Sequence, residues 1–76
     1  MTKKADNIAL QLGKKVRTLR KKQGLTQEEL ATRSKLGVKH IQFIESKSPN
    51  NSNILTLQKL ANGLDISVSE LMHFED

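Results

Sequence analysis

The chain has 76 residues, enough for one domain, and its lack of cysteine excludes disulfides and thiolate metal sites. Its apolar runs are far shorter than the roughly 20 residues that cross a bilayer, so we expect no membrane partner and a cytoplasmic location. The net charge of +5 is uneven: residues 1–47 have a balance of +8, whereas residues 48–76 have a balance of −3. A basic amino-terminal part suits a polyanionic partner, although lysines that only keep the protein soluble would give the same balance.

The first predicted helix carries apolar residues with the 3.6-residue period of an amphipathic helix. These residues are Ile8, Leu12, Val16 and Leu19, and Gly24 follows where a helix end favours a positive φ. The other side of this helix carries six basic residues: Lys14, Lys15, Arg17, Arg20, Lys21 and Lys22. Residues 1–7 are predicted to form a flexible N-terminal arm ahead of the domain, which spans residues 8–76.

A second helix is predicted to begin at a capping box. Thr26 and Glu29 have the spacing in which the threonine hydroxyl and the glutamate carboxylate each accept from the other's backbone N–H. Leu30 and Ala31 then face the core, and the pattern breaks at residues 34–35. A third short helix follows, with three inward residues: Leu36, Ile41 and Ile44.

Residues 46–53 are predicted to form a loop, because serine, proline and asparagine dominate them. A fourth helix is predicted over residues 54–62, with four residues facing the core: Ile54, Leu57, Leu60 and Ala61. Ser67 and Glu70 have the spacing of a second capping box, which opens a short fifth helix with Val68 and Leu71 inward. No segment has the pattern of a strand, so the predicted fold class is all-α, a compact arrangement of five helices.

The second and third helices match the helix-turn-helix pattern, which we place at about residues 26–45. Two helices joined by a turn of three or four residues, within about 20 residues, define this pattern. Ala31 supplies the small side chain that lets the helices cross closely, and residues 34–37 supply the turn. The pattern by itself is only moderately specific, because other helical hairpins share it.

Longer runs of the sequence resemble the lambda-repressor/Cro-like helix-turn-helix family. The runs are LGKKVRTLR at 12–20, GLTQEELA at 24–31, Ile41 with Ile44-Glu45, LQKLA at 57–61 and ISVSEL at 66–71. The resemblance covers residues 8–72 and implies a five-helix, lambda-repressor-like DNA-binding domain that regulates transcription by binding an operator as a homodimer. In its length, the chain also resembles the small controller proteins of restriction–modification systems.

The resemblance assigns roles to individual residues. Gln27 matches a glutamine that binds a backbone phosphate, and Arg20 and Glu45 match a pair that forms a structural salt bridge. The outward positions of the third helix match those that meet base edges, and the following loop matches one that touches phosphate. The DNA-binding residues implied in this way are Thr26, Gln27, Val38, Lys39, Gln42, Phe43, Lys47 and Ser48.

Three positions depart from the family pattern. Lys35 and Asp65 stand where glycine is common, and Phe43 stands where a polar residue is usual. For Phe43 two interpretations stay open: it packs partly into the core, or it contacts a thymine methyl group in the major groove.

A symmetric homodimer is predicted to form through a C-terminal apolar group: Leu71, Met72 and Phe74. Leu10 and Leu55 also lie off the core stripes of their helices. The expected partners are a double-stranded DNA operator with pseudo-palindromic half-sites, a second copy of the chain and RNA polymerase.

Other functions are less well supported by the residues. We expect no enzyme, cofactor or metal, because no catalytic arrangement or Gly-rich phosphate loop is visible and His40 and His73 lack companion ligands. The serious alternative is a protein-interaction module, such as an antitoxin with DNA binding secondary. A membrane-surface helix is more remote, because the apolar stripe of the first helix is matched by stripes in the other four.

Overall fold

The computed structural model describes residues 4–46 and 53–74, and this part of the chain is all-α, as predicted. Five helices follow one another in the order α1 Lys4–Lys22, α2 Gln27–Ser34, α3 Val38–Glu45, α4 Ile54–Leu64 and α5 Val68–Leu71. The most extensive packing joins α2 to α4, and α3 to both α1 and α2. Within the described ranges, no helix is both long enough and apolar enough to span a bilayer.

Two helix boundaries differ from the prediction. α1 begins at Lys4 rather than Ile8, so residues 4–7, predicted as part of a flexible arm, are helical; residues 1–3 of that arm lie outside the described residues. The apolar stripe could not reveal this start, because Lys4, Asp6 and Asn7 are polar. α4 continues two residues beyond Asn62 and ends at Leu64.

Polar side chains cap three of the helices at their first turn. The capping box is confirmed at α2: the Glu29 N–H donates to Thr26 Oγ1 at 3.0 Å, and the Thr26 N–H donates to Glu29 Oε1 at 2.8 Å. Asn53 Oδ1 and Ser67 Oγ accept from backbone N–H groups of α4 and α5, at 2.9 and 3.0 Å. These acceptors satisfy amide groups that have no partner inside their helices.

Each helix contributes one apolar face to the core. Its buried apolar residues are Leu12, Val16, Leu30, Ala31, Ile41, Ile44, Leu60, Ala61, Leu64 and Leu71. One predicted core residue is wrong: Ile54 is 77% exposed. It is the first residue of α4 and lies roughly a third of a turn from the centre of the buried face, so the neighbouring helices do not cover its side chain.

Two glycines allow helices to touch without intervening side chains. A Cβ on Gly13 would overlap the carbonyl oxygen of Ile44, so this glycine sets the distance between α1 and α3. A Cβ on Gly63 would overlap Ser34 Oγ, so it sets the distance between α2 and α4. Overlap with backbone atoms cannot be relieved by rotating a side chain, which makes the first of these contacts the more restrictive.

Lys35 and Asp65, which stand where the resembled family commonly has glycine, both adopt the left-handed conformation that glycine favours. Lys35 has φ 60° and ψ 37° at the end of α2, and Asp65 has φ 62° and ψ 42° at the end of α4. The N–H of Lys35 still donates to the carbonyl oxygens of Ala31 and Thr32, which closes the helix. Lys35 therefore adopts in this turn the conformation that glycine favours, at a cost in backbone energy.

Candidate nucleic-acid interface

α3 has one buried face and one exposed face, as a helix that enters a groove of DNA requires. Ile41 and Ile44 are buried in the core, whereas Lys39, Gln42 and Phe43 are exposed. The exposed residues lie on one side because positions three and four apart share a helix face. Val38, also predicted to meet a base, is half-buried and packs against the core.

Of the two interpretations of Phe43, the structure tests only the packing into the core, and it contradicts that one. Its side chain is 61% exposed and does not pack into the core. Together with Lys39, Gln42 and Ser46 it lines a shallow, mainly apolar hollow on the outer face of α3.

Arg20 and Glu45 form the predicted salt bridge. Arg20 Nε donates to Glu45 Oε2 at 2.8 Å, and a second guanidinium nitrogen donates to Oε1 at 3.0 Å, so the pair is bidentate. A third nitrogen donates to the carbonyl oxygen of Leu25 at 2.9 Å. Hydrogen bonding to Glu45 raises the pKa of Arg20, against the opposing effect of burial, and the guanidinium stays charged.

Gln27 joins this network at the start of α2. Its side-chain amide donates to Glu45 Oε1 at 3.2 Å, so one carboxylate holds both Arg20 and Gln27. Gln27 is half-buried, with an orientation that this hydrogen bond fixes. Thr26, the neighbouring predicted contact, is exposed and uses its hydroxyl oxygen to cap the helix.

Arg17 lies in the same concave surface and was missed by sequence reasoning. The concavity between α1, α2 and α3 is lined by Arg17, Arg20, Leu25, Thr26, Gln27, Gln42, Glu45 and Ser46. Arg17 is exposed there, one helical turn before Arg20 on α1. This three-residue spacing from Arg20 was the available signal, but Arg17 was one of six basic residues on that helix and nothing separated it from the others.

The remaining predicted site residues fall into two groups. Lys47 and Ser48 lie outside the described residues. The assignment of Leu71 to the dimer interface is wrong. Its side chain is 0% exposed and packs in the core of its own chain, so it cannot contact a second copy. Met72 and Phe74 are half-buried against that core.

Two exposed apolar residues lie outside this concavity. Ile54 and Leu55 expose 77% and 58% of their area at the start of α4. Within residues 4–46 and 53–74, no cluster of three His, Asp or Glu side chains could hold a metal ion.

Comparison with known proteins agrees with this arrangement. A family model described as helix-turn-helix matches residues 16–71. The restriction-modification controller protein C.AhdI from Aeromonas hydrophila is similar in structure, with a TM-score of 0.77, 35% identity and coverage of 83% of this chain and 94% of that chain. The wild-type controller protein C.Esp1396I has a TM-score of 0.75, 28% identity and coverage of 86% of this chain and 87% of that chain. No curated protein matches the sequence significantly.

Proposed function

Because the chain belongs to the helix-turn-helix family of the lambda-repressor/Cro type, whose members are DNA-binding transcription regulators, we propose that it reads duplex operator DNA with α3 in the major groove. The observation that carries this proposal is the division of α3: Ile41 and Ile44 anchor it in the core, while Lys39, Gln42 and Phe43 stand free on the other side. A rigidly anchored helix presents its outer side chains in a fixed register to base edges.

Phosphate contacts on either side of α3 would set this register. Arg17 and Gln27 line the concavity beside the helix, and the N–H groups of the first two residues of α2 have no acceptor inside the helix and suit an anion. Glu45 fixes the Gln27 amide, which reduces the conformational freedom lost on binding. Glu28 and Glu29 add negative charge to the same helix end, and Glu45 compensates the charge of Arg20. Arg17 is therefore the uncompensated positive charge of the concavity.

Base recognition falls to the exposed side chains of α3. The Lys39 ammonium suits guanine O6 and N7, and the Gln42 amide suits the paired donor and acceptor of adenine. Half-buried Val38 lies at the start of the helix, where only its outer edge is available. Lys47 and Ser48 stay predicted phosphate contacts of the following loop.

The protein would act as a homodimer on a pseudo-palindromic operator. Symmetric copies of α3 would then meet half-sites about 10–10.5 base pairs apart, or a multiple of this. Ile54 and Leu55, with Met72 and Phe74 as the second candidate surface, are the apolar groups available for the contact. The similarity to two restriction-modification controller proteins suggests the same role here. Contact with RNA polymerase stays a prediction.

Selection of bound sites from random duplex DNA tests this function. We expect a consensus with two inverted half-sites, and an affinity that falls by about 10³–10⁵ between about 50 and 200 mM salt if roughly 6–10 phosphates are contacted. Binding that ignores salt, or a selection that recovers no consensus, would contradict the proposal.

A further inference from the structure

Phe43 is an aromatic side chain that is largely exposed to solvent on α3, although the opposite face of this helix packs in the core. Its neighbours Ile41 and Ile44 are 0% and 4% exposed, whereas Phe43 is 61% exposed. Single exposed apolar residues are common on protein surfaces, so exposure alone is not informative. Phe43, however, lies on the exposed face of α3 that the proposed function assigns to DNA, one turn after Lys39 and next to Gln42.

The hollow beside Phe43 is shallow and mainly apolar. Lys39, Gln42, Phe43 and Ser46 line it, and the methylene stem of a lysine adds apolar surface below its charged end. At the carboxyl end of the helix, both the hydroxyl and the N–H of Ser46 donate to the carbonyl oxygen of Phe43, at 2.7 and 3.2 Å. These bonds fix the backbone at the carboxyl end of α3, beside the hollow.

We propose that this hollow receives the C5 methyl group of a pyrimidine, and that Phe43 thereby makes operator binding depend on that methyl group. The proposal rests on the proposed function. On base edges in the major groove, the only apolar group is the pyrimidine C5 methyl, which thymine carries and cytosine lacks. A cytosine methylated at C5 presents the same group, so the hollow responds to thymine and to 5-methylcytosine through one chemistry.

The size of the effect follows from the burial of one methyl group. Burial of one such group changes a binding constant by about four-fold, so removal of the methyl group should weaken binding about four-fold for each half-site. Lys39 and Gln42 flank the hollow with polar atoms that can bond neighbouring base edges, which would hold the methyl group over the ring.

The experiment uses the full chain and the operator obtained by selection from random duplex DNA. Each thymine is replaced in turn by deoxyuridine, which removes only the methyl group, and each cytosine in turn by 5-methyldeoxycytidine, which adds it. Dissociation constants are measured for the parent, Phe43→Ala, Phe43→Leu and Arg17→Ala. Arg17→Ala is the matched control, because it should lower affinity through a phosphate contact without changing any ratio between modified and unmodified DNA.

We expect one symmetric position at which loss of the thymine methyl weakens the parent and Arg17→Ala about four-fold but leaves Phe43→Ala unaffected, with Phe43→Leu between them. A position at which cytosine methylation strengthens the parent, but not Phe43→Ala, supports the proposal with 5-methylcytosine as the source. If duplex DNA is bound and no modification changes affinity, or if Phe43→Ala keeps the full effect, the proposal is overturned while the proposed function stands. Failure to bind any duplex DNA at low salt overturns both.

Two further measurements test whether Phe43→Ala changes folding or self-association. Phe43→Ala should melt like the parent, because the side chain is largely exposed; if it does not fold, Phe43→Leu carries the same comparison. Sedimentation equilibrium without DNA should show the same self-association for Phe43→Ala and the parent. A weaker dimer would show that the hollow contacts a second copy instead of a base, and would overturn the proposal.

Discussion

Arg20 and Glu45 join α1 to the end of α3 through two parallel hydrogen bonds, at 2.8 and 3.0 Å, between one guanidinium and one carboxylate. Their side chains are only 11% and 4% exposed. The same carboxylate accepts from Gln27, so one buried charge pair supports both the fold and the orientation of a predicted phosphate contact. Removal of either partner leaves a charge with poor access to water.

We therefore expect Arg20→Ala to lower the free energy of unfolding by about 3 kcal/mol or more. Thermal and urea unfolding followed by circular dichroism measure the loss, which for a domain of this size exceeds about 10 °C in Tm. Arg17→Ala is the matched control: an exposed arginine one turn earlier on α1, which should change stability by less than about 0.5 kcal/mol. The double variant Arg20→Ala with Glu45→Ala should cost less than the sum of the single variants. An Arg20→Ala protein as stable as Arg17→Ala would contradict a buried pair.

Gly13→Ala should destabilise the contact between α1 and α3. Alanine favours a helix by about 1 kcal/mol over glycine, but the new Cβ would overlap the Ile44 carbonyl oxygen. We expect the overlap to win, with a net loss of about 1–3 kcal/mol. Gln11→Ala, at an exposed position of the same helix, is the control for the introduction of an alanine into α1. If Gly13→Ala is instead stabilised like an ordinary glycine-to-alanine change, the helices are free to separate.

The sequence predicted best what depends on neighbours along the chain. The capping box at Thr26 needs only residues three apart, and the left-handed turn at Lys35 was indicated by a position where the family has glycine. The Arg20–Glu45 pair was indicated by the resemblance alone, because no spacing rule connects residues 25 apart.

Predictions that depend on where one helix meets another were less accurate. Ile54 fits an apolar period, yet whether it is covered depends on where the neighbouring helices end. Leu71 was assigned both to the core and to the dimer contact, and burial allows only the core. The hydrogen bond from Gln27 to Glu45 and the place of Arg17 in the concavity follow from the crossing of three helices, which no local pattern contains.

Lys35→Gly should stabilise the turn between α2 and α3. A side chain at φ 60° costs roughly 1 kcal/mol, which glycine avoids, although glycine also increases the entropy of the unfolded chain. Because that entropy offsets about 0.4–1 kcal/mol, we expect a net gain of up to about 0.6 kcal/mol. Lys35→Ala separates conformation from charge, because it removes the ammonium and keeps the Cβ, and it should give no comparable gain. Equal unfolding free energies for the two variants would show that the turn is not strained at this residue.

The buried hydroxyl of Ser34 is expected to contribute nothing to stability. Ser34 Oγ has no hydrogen-bond partner within the described part of the chain and lies against Gly63. A buried polar atom without a partner costs free energy, so Ser34→Ala should be neutral or stabilising by up to about 1 kcal/mol. Thr56→Ala, at the other buried hydroxyl-bearing position of the packed helices, provides a comparison by chemical denaturation. A loss above about 1 kcal/mol in Ser34→Ala would indicate that the hydroxyl has a partner in solution.

The homodimer should depend on the exposed apolar residues at the start of α4. Replacement of Ile54 and Leu55 by serine removes apolar surface that contacts water in the single chain, so folding should be retained while self-association weakens. Sedimentation equilibrium at tens of micromolar measures the change. Met72→Ser tests the second candidate surface, but it also removes a core contact and should lower Tm. A dimer that survives the change at Ile54 and Leu55, yet is lost in Met72→Ser at a temperature where that variant is folded, would move the interface to the C-terminal segment.

Arg17 and Gln42 should affect DNA binding in different ways, because a phosphate contact is blind to sequence and a base contact is not. Arg17→Ala should weaken binding to the selected operator and to random duplex by the same factor, and should reduce the slope of log K against log salt by about 1 for each subunit of the dimer. Gln42→Ala should weaken binding to the operator by about 1–3 kcal/mol for each half-site, leave random duplex nearly unchanged and keep the salt slope, because the amide carries no charge. Both residues are exposed and line the same concavity, so each serves as the control for the other's effect on folding. If Gln42→Ala lowers both affinities equally, its amide binds phosphate, and base recognition on α3 is left to Lys39 and Phe43.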